Sequence, residues 1–338
     1  MKVKFATNAQ RLSAKGFTLI ELMIALVLGL LIIAGVIGVF VSNKQAYRQN
    51  ENLARMQESA RYAFEVVARD IRDAGGIACG SNLPTANVVK NPSTQWWSDW
   101  GDGIRGYGGA QAFPAKAIGT NTTDRVAGTD AVIVWSGNSN ADVTIVSHNP
   151  NSAQFKVNTT AHAFSDGNVL MVCDFKQAAI FQVTNANSAN VTIVHGTGNT
   201  VTPGNCSKGL GYPSDCSSVN GNPYTFAGGG VLTKLSSNAW YIGFNGRGSK
   251  SLYRVSISGT DEVAEGVSDM QLQYLLRDVS ANLASDYVDA TAITDWTLVV
   301  AARVVFNIDT LESVGTDGNM ITRTWNTAVM LRNRELPE

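Results

Sequence analysis

Phe17 to Val41 is an apolar run of 25 residues that contains a single charge, Glu21. About 20 apolar residues cross the hydrocarbon core of a bilayer as a helix, because only a helix satisfies each backbone group where no water is present. Lys2, Lys4, Arg11 and Lys15 all precede the run, and no acid accompanies them. That bias predicts residues 1–16 on the cytoplasmic side of the membrane and the remainder exported. A secretory signal would have a shorter apolar stretch ending in a small-x-small site. Here the run continues directly into an amphipathic pattern, so a cut after it would divide a helix. An ordinary anchor leaves Glu21 unexplained, since a charge so deep costs about 2.5–3.5 kcal/mol on insertion scales and marks function by default.

From Ser42 to Ala74 the helical period persists. Leu53, Met56, Ala60, Ala63, Phe64, Val67, Ile71 and Ala74 form one apolar stripe. The other face places Glu51/Arg55, Arg61/Glu65, Glu65/Arg69 and Arg69/Asp73 at i,i+4 spacing, as a solvated face does. No proline precedes Pro84, and Gly75-Gly76 supplies a stop. The pattern predicts one helix from Phe17 to Ala74, about 87 Å long at 1.5 Å per residue. Gly29, Gly35 and Gly38 lie in its apolar half, where each weakens the helix by up to about 1 kcal/mol and also lets helices pack closely.

After Gly76 the period falls from 3.6 to 2. Strands are predicted at Ala131–Trp135, Asp142–Val146, Ala153–Val157, Val169–Cys173, Ala179–Val183 and Val191–Val194. Further strands are predicted at Trp240–Phe244, Ser251–Ile257, Met270–Leu276, Leu298–Ile308 and Met320–Leu331. Asn/Gly/Ser/Pro-rich turns, such as Trp135-Ser136-Gly137-Asn138 and Asn220-Gly221-Asn222-Pro223, separate them. Short strands joined by turns indicate antiparallel sheet. The expected class is therefore α+β, a long N-terminal helix packed on an antiparallel β-rich head. The expected divisions are a leader at 1–16, an apolar helix at 17–41, its amphipathic half at 42–76, and the head at 77–338 with a large insertion around 84–128.

With a net charge of -1, the chain has no basic excess for neutralising phosphates, so nothing points to nucleic acid. Removing the four leader cations leaves 22 basic residues against 27 acidic ones, or -5. The four cysteines, Cys79, Cys173, Cys206 and Cys216, form no C-x-x-C or Cys/His cluster, which argues against a zinc site. Dispersed and even in number behind a membrane segment, they suit disulfides in an oxidising compartment. Cys206 and Cys216 close a short loop containing Gly209, Gly211 and Pro213, which leaves Cys79 to pair with Cys173.

No catalytic or cofactor fingerprint appears. His148, His162 and His195 are scattered among strand and turn residues, and neither H-E-x-x-H, G-x-S-x-G, a Walker A loop nor G-x-G-x-x-G occurs. Gly103-Ile-Arg-Gly-Tyr-Gly-Gly109 lacks the strand–loop–helix setting of a phosphate cradle and reads as a plain loop. Trp96, Trp97 and Trp100, with Asp99 and Asp102, read first as a loop packed on the sheet and second as a sugar or partner surface. Asp309 and Asp317 flank a turn without the dense oxygen ligands that calcium needs. The chain reads as a non-enzyme without a cofactor or metal.

Lys15-Gly16-Phe17-Thr18-Leu19-Ile20-Glu21-Leu22 closely resembles the signature of type IV prepilins. The resemblance implies that prepilin peptidase cuts after Gly16 and that Phe17 becomes a methylated terminus. It also implies that Glu21 is the acid at the fifth position, able to pair with the Phe17 amine of a neighbouring subunit. The head is similar to the PilW family of minor pilins in four stretches: 128–134, Cys173 leading into 180–184, 266–274, and 329–334. Trp296, followed by the strand to Ile308, fits as well. What the resemblance implies is a minor pilin in a tip or priming complex, with other minor pilins, the major pilin and a tip adhesin as partners. It implies residence in the inner membrane first and in the pilus afterwards. The alternatives are a J-type minor pseudopilin of type II secretion, for which the chain is long, and a membrane-tethered periplasmic binding domain.

Overall fold

The structure, a computed structural model, describes residues 16–80, 83–101, 103–137, 143–198, 200–277 and 286–334. Residues 1–15 of the expected leader, together with Asp102 and Asp142, lie outside them. An α-helix, α1, spans Leu19–Asp73. Its 55 residues give a length of about 82 Å. The chain divides into two compact units at Leu53/Ala54, inside this helix. In the first unit, the apolar side chains from Leu19 to Val41 stand exposed, and a Cβ added at Gly29, Gly35 or Gly38 would meet nothing within 4 Å.

In the second unit the stripe does what its period predicts. Met56, Ala60, Ala63, Val67, Ile71 and Ala74 are buried, and Phe64 meets Phe306 edge-on at 4.8 Å. Arg69 and Glu65 form the exposed i,i+4 pair at 3.4 Å. Asp70 departs from the solvated-face pattern. Its Oδ2 accepts from Asn238 Nδ2 at 2.9 Å and from Trp240 Nε1 at 2.8 Å, and burial pushes its carboxyl above the usual range. Two neutral donors thus tie the helix to the longest strand.

Gly75, just past the end of the helix, has a φ of +68°, the left-handed conformation that glycine adopts without strain. Gly75 N donates to Trp135 O, and Gly137 N donates to Gly76 O, both at 2.8 Å, which docks the exit on a strand. The open carbonyls of the last turn are met from far along the chain. Arg332 N donates to Arg72 O at 2.9 Å, and Asn333 Nδ2 reaches Asp73 O and Ala74 O at 3.4 Å.

The described residues of the head form one eight-stranded and two four-stranded sheets. In the first, Thr85–Asn87, Ala178–Gln182, Val169–Cys173, Val231–Phe244, Lys250–Ser256 and Gly259–Glu265 follow one another. Ala131–Gly137 also pairs with Val231–Phe244, and Ile104–Tyr107 pairs with Ala131–Gly137. The second sheet orders Val288–Asp289, Val267–Leu276, Val299–Asp309 and Thr322–Met330. The third orders Ile145–Asn149, Gln154–Val157, Thr192–Val194 and Asn185–Ala186. The named strand pairs are antiparallel except Thr85–Asn87 with Ala178–Ile180, which runs parallel. The class is α+β, as expected.

Several details differ from the sequence reading. Within the region 84–128, read as a large insertion, Thr85–Asn87 and Ile104–Tyr107 join the main sheet. Gly103–Gly109 therefore contains a strand, with Gly106 pressed so close to Tyr274 that a Cβ would lie 2.1 Å from its hydroxyl. Trp240–Phe244 is only the end of a 14-residue strand that begins at Val231. The strand sought at Asp142–Val146 lies at Ile145–Asn149. Trp96, Trp97 and Trp100 are half-buried against two core clusters, and Trp135 Nε1 donates to Trp96 O at 2.9 Å.

Candidate processing and assembly site

Thr18 immediately precedes the helix, and its side chain and backbone organise the first turn. Glu21 N donates to Thr18 Oγ1 at 3.3 Å, while Thr18 N and Thr18 Oγ1 each donate to Glu21 Oε2 at 2.9 Å. This reciprocal capping box satisfies orphan amides at both positions and sets a carboxylate beside the positive end of the helix dipole. Thr18-x-x-Glu21 before an apolar run was a readable capping signal. Glu21 therefore has a partner in its own chain, beyond the intersubunit amine that the resemblance implies. Just upstream, Phe17 is 89% exposed, and no atom lies within 4 Å of a Cβ placed on Gly16. Among the described residues nothing covers Gly16 or Phe17, the positions that the resemblance makes the cut.

Residues 11–37 match the sequence model of the prokaryotic N-terminal methylation motif. The chain carries a prokaryotic N-terminal methylation motif. Together with the long apolar helix it makes the chain type IV pilin-like or pseudopilin-like. The methylation motif implies trimming by prepilin peptidase and assembly with other pilins. Neither the curated proteins nor the solved structures gave a match to this chain.

Beyond the methylation motif, the structure bonds Cys79 to Cys173 and Cys206 to Cys216, with Cα separations of 5.8 and 5.3 Å. The first bridge ties the segment that follows the helix to a central strand. The second closes the loop that carries Tyr212. The Gln177 side chain clasps that loop, donating to Leu210 O at 2.7 Å and accepting from Tyr212 N at 3.1 Å. Among the described residues no group of three His, Cys, Asp or Glu side chains is placed to hold a metal. Asp309 Oδ1 instead accepts from Thr322 Oγ1, and Asp317 accepts from Asn319 through both oxygens.

Two of the three histidines are not scattered. His148 Nε2 and His195 Nε2 lie 3.1 Å apart among Phe155, Phe181 and Phe226. Phe226 N donates to His148 Nδ1 at 3.2 Å, so the neutral His148 carries its proton on Nε2 and donates to His195. Contact across 47 residues leaves no local sequence signal. Burial pulls His148 down to about 4, and burial with its neighbour pulls His195 down to about 3. Both folded values lie below that of the unfolded chain, so their stabilisation is full above about pH 6.5 and is lost as pH falls towards 4. By pH 5 each imidazole should cost the native head about 2 kcal/mol. Melting at pH 7 and at pH 5 should show a steep drop, reduced in the His148→Asn/His195→Asn double variant. An equal drop in both proteins would exclude the pair as its source.

Proposed function

We propose that this chain is a PilW-like minor pilin of a type IV pilus, built into the filament or its tip complex through α1. The observation that carries the reading is the methylation motif leading without a break into a 55-residue helix whose only acid in the apolar half is Glu21. In this reading residues 1–16 are the leader, 17–41 the membrane and filament-core helix, 42–76 its amphipathic half, and 77–338 the exported head. Prepilin peptidase frees the Phe17 amine, and Glu21 exchanges its Thr18 contacts for the amine of a neighbouring subunit. The role is structural, and the catalysis is done to this protein. Pseudopilins share the same motif. The chain's length and the four PilW-like stretches of the head favour the pilus over type II secretion.

The N-terminus of the mature protein tests the first step, because a chain beginning at Phe17 is required and an intact leader would defeat the proposal. The second step is tested by Glu21→Ala. Removing a charge from the apolar segment eases insertion, so the variant should reach the membrane at least as well as wild type. The neighbouring ammonium then lacks its counter-charge, and the variant should fall severalfold in sheared pili. Undiminished recovery in pili would remove Glu21 from the mechanism.

A further inference from the structure

Thr322–Met330 is the outermost strand of its sheet and is nine residues long. Leu331 N donates to Val300 O, and Thr310 N donates to Ile321 O, which fixes the alternation between them. Odd-numbered residues hydrogen-bond inwards to Val299–Asp309. The N–H and C=O groups of Thr324, Asn326 and Ala328 point away from the sheet.

Long edge strands are normally guarded by charge or proline. Gly259–Glu265, the outermost strand of the eight-stranded sheet, obeys this rule. Asp261 binds Arg254 at 2.9 Å, Glu265 binds Arg247 at 2.6 Å, and Glu262 also meets Arg247. Thr322–Met330 has no proline and one charge, Arg323, among three threonines, Trp325 and Val329. These residues favour strand pairing.

Beside this edge runs a groove of about 550 Å³, floored by Ala60, Phe64, Ala68 and Trp325 and flanked by Arg61 and Arg72. Arg323 lies on the same face as Trp325 by strand alternation. The one acid of the groove, Glu65, is already paired with Arg69. Arg61, Arg72 and Arg323 form no ion pair among the described residues. The surface thus joins an open hydrogen-bonding edge, apolar pockets for alternate side chains, and unbalanced positive charge.

We propose that Thr322–Met330 receives an acidic β-strand from a second protein, which extends the sheet and sets alternate side chains over the Phe64/Trp325 groove. Main-chain hydrogen bonds supply affinity, and the three guanidiniums select acidic residues. The proposal does not depend on the pilus reading.

The test uses the purified full-length protein in detergent and a labelled nonapeptide that alternates valine with glutamate. The glutamate peptide should bind, and the same peptide with lysine should not. Arg61→Glu/Arg72→Glu/Arg323→Glu should weaken the glutamate peptide by about tenfold or more, given three lost attractions replaced by repulsion, and should gain the lysine peptide. Ala328→Pro removes only an outward donor, a substitution that edge strands tolerate, and should abolish binding without changing the melting temperature. If that variant melts early, a glutamate peptide N-methylated at alternate amides replaces it and should fail to bind the unaltered protein. Absent binding, equal binding of both peptides, or binding that survives Ala328→Pro or N-methylation would overturn the proposal. Self-association of the full chain that Ala328→Pro removes, without peptide binding, would also overturn it and would make a second copy the occupant.

Discussion

Gly16→Val should leave the full-length precursor uncut in the membrane. A Cβ at position 16 meets nothing within 4 Å, so the substitution places no strain on the chain itself. The change acts on the encounter with the peptidase. Glycine lets the backbone before Phe17 enter a narrow protease cleft, and a β-branched side chain restricts the backbone and fills that space. Phe17, Thr18 and Glu21 are retained, so insertion and the capping box should persist. An intact-mass measurement on membrane protein should find the leader still attached, and pili should contain almost none of the variant. Trimming at the wild-type rate would show that Gly16 is not the residue read by the peptidase.

Cys79→Ser/Cys173→Ser should be the most damaging disulfide change. The bridge spans 94 residues, and loop-closure entropy assigns it about 4.7 kcal/mol, against about 2.7 kcal/mol for the ten-residue Cys206–Cys216 closure. Cys173 is buried beside Val169, Met171 and Ile180, so the larger bridge also holds the post-helical segment against a central strand. Denaturant melts of the full-length protein should rank wild type, then Cys206→Ser/Cys216→Ser, then Cys79→Ser/Cys173→Ser. Reversed order would mean that the short loop, with its Gln177 clasp, carries more of the head's stability than chain entropy predicts.

How much was legible in the sequence depends on whether each signal was local. Val169–Cys173 was read to the residue because all five side chains are buried, which makes a continuous apolar run. The first half of Val231–Phe244 was hidden by Lys234, Ser236, Ser237 and Asn238, polar residues that break the apolar alternation. Ser237 nevertheless sits in the core, its hydroxyl donating to Trp97 O at 2.6 Å, a contact 140 residues away. Gly259–Glu265 escaped for a related reason. Its acids lack strand propensity, and the strand is held through Arg247 and Arg254. At the N-terminus, Gly16, Phe17 and Glu21 lie within six residues, so their motif was visible at once. The Thr18 cap lies in the same window and needed only attention to hydroxyl–carboxylate spacing. The His148–His195 pair and the Asp70 contacts exist only once distant strands come together.

The long N-terminal helix is completed by a distant segment of the chain. The carbonyl groups of Asp73 and Ala74 are met by Asn333, roughly 260 positions later, and that of Arg72 by Arg332. During synthesis the helix emerges long before its clasp does, so for most of that interval its final turn has unanswered carbonyl groups. The strands at Val299–Asp309 and Thr322–Met330 must arrive first, because they deliver Arg332 and Asn333 to the place where the helix stops. A chain halted before residue 332 would thus leave the helix open at its head end, an unfinished fold with its last turn exposed to proteolysis.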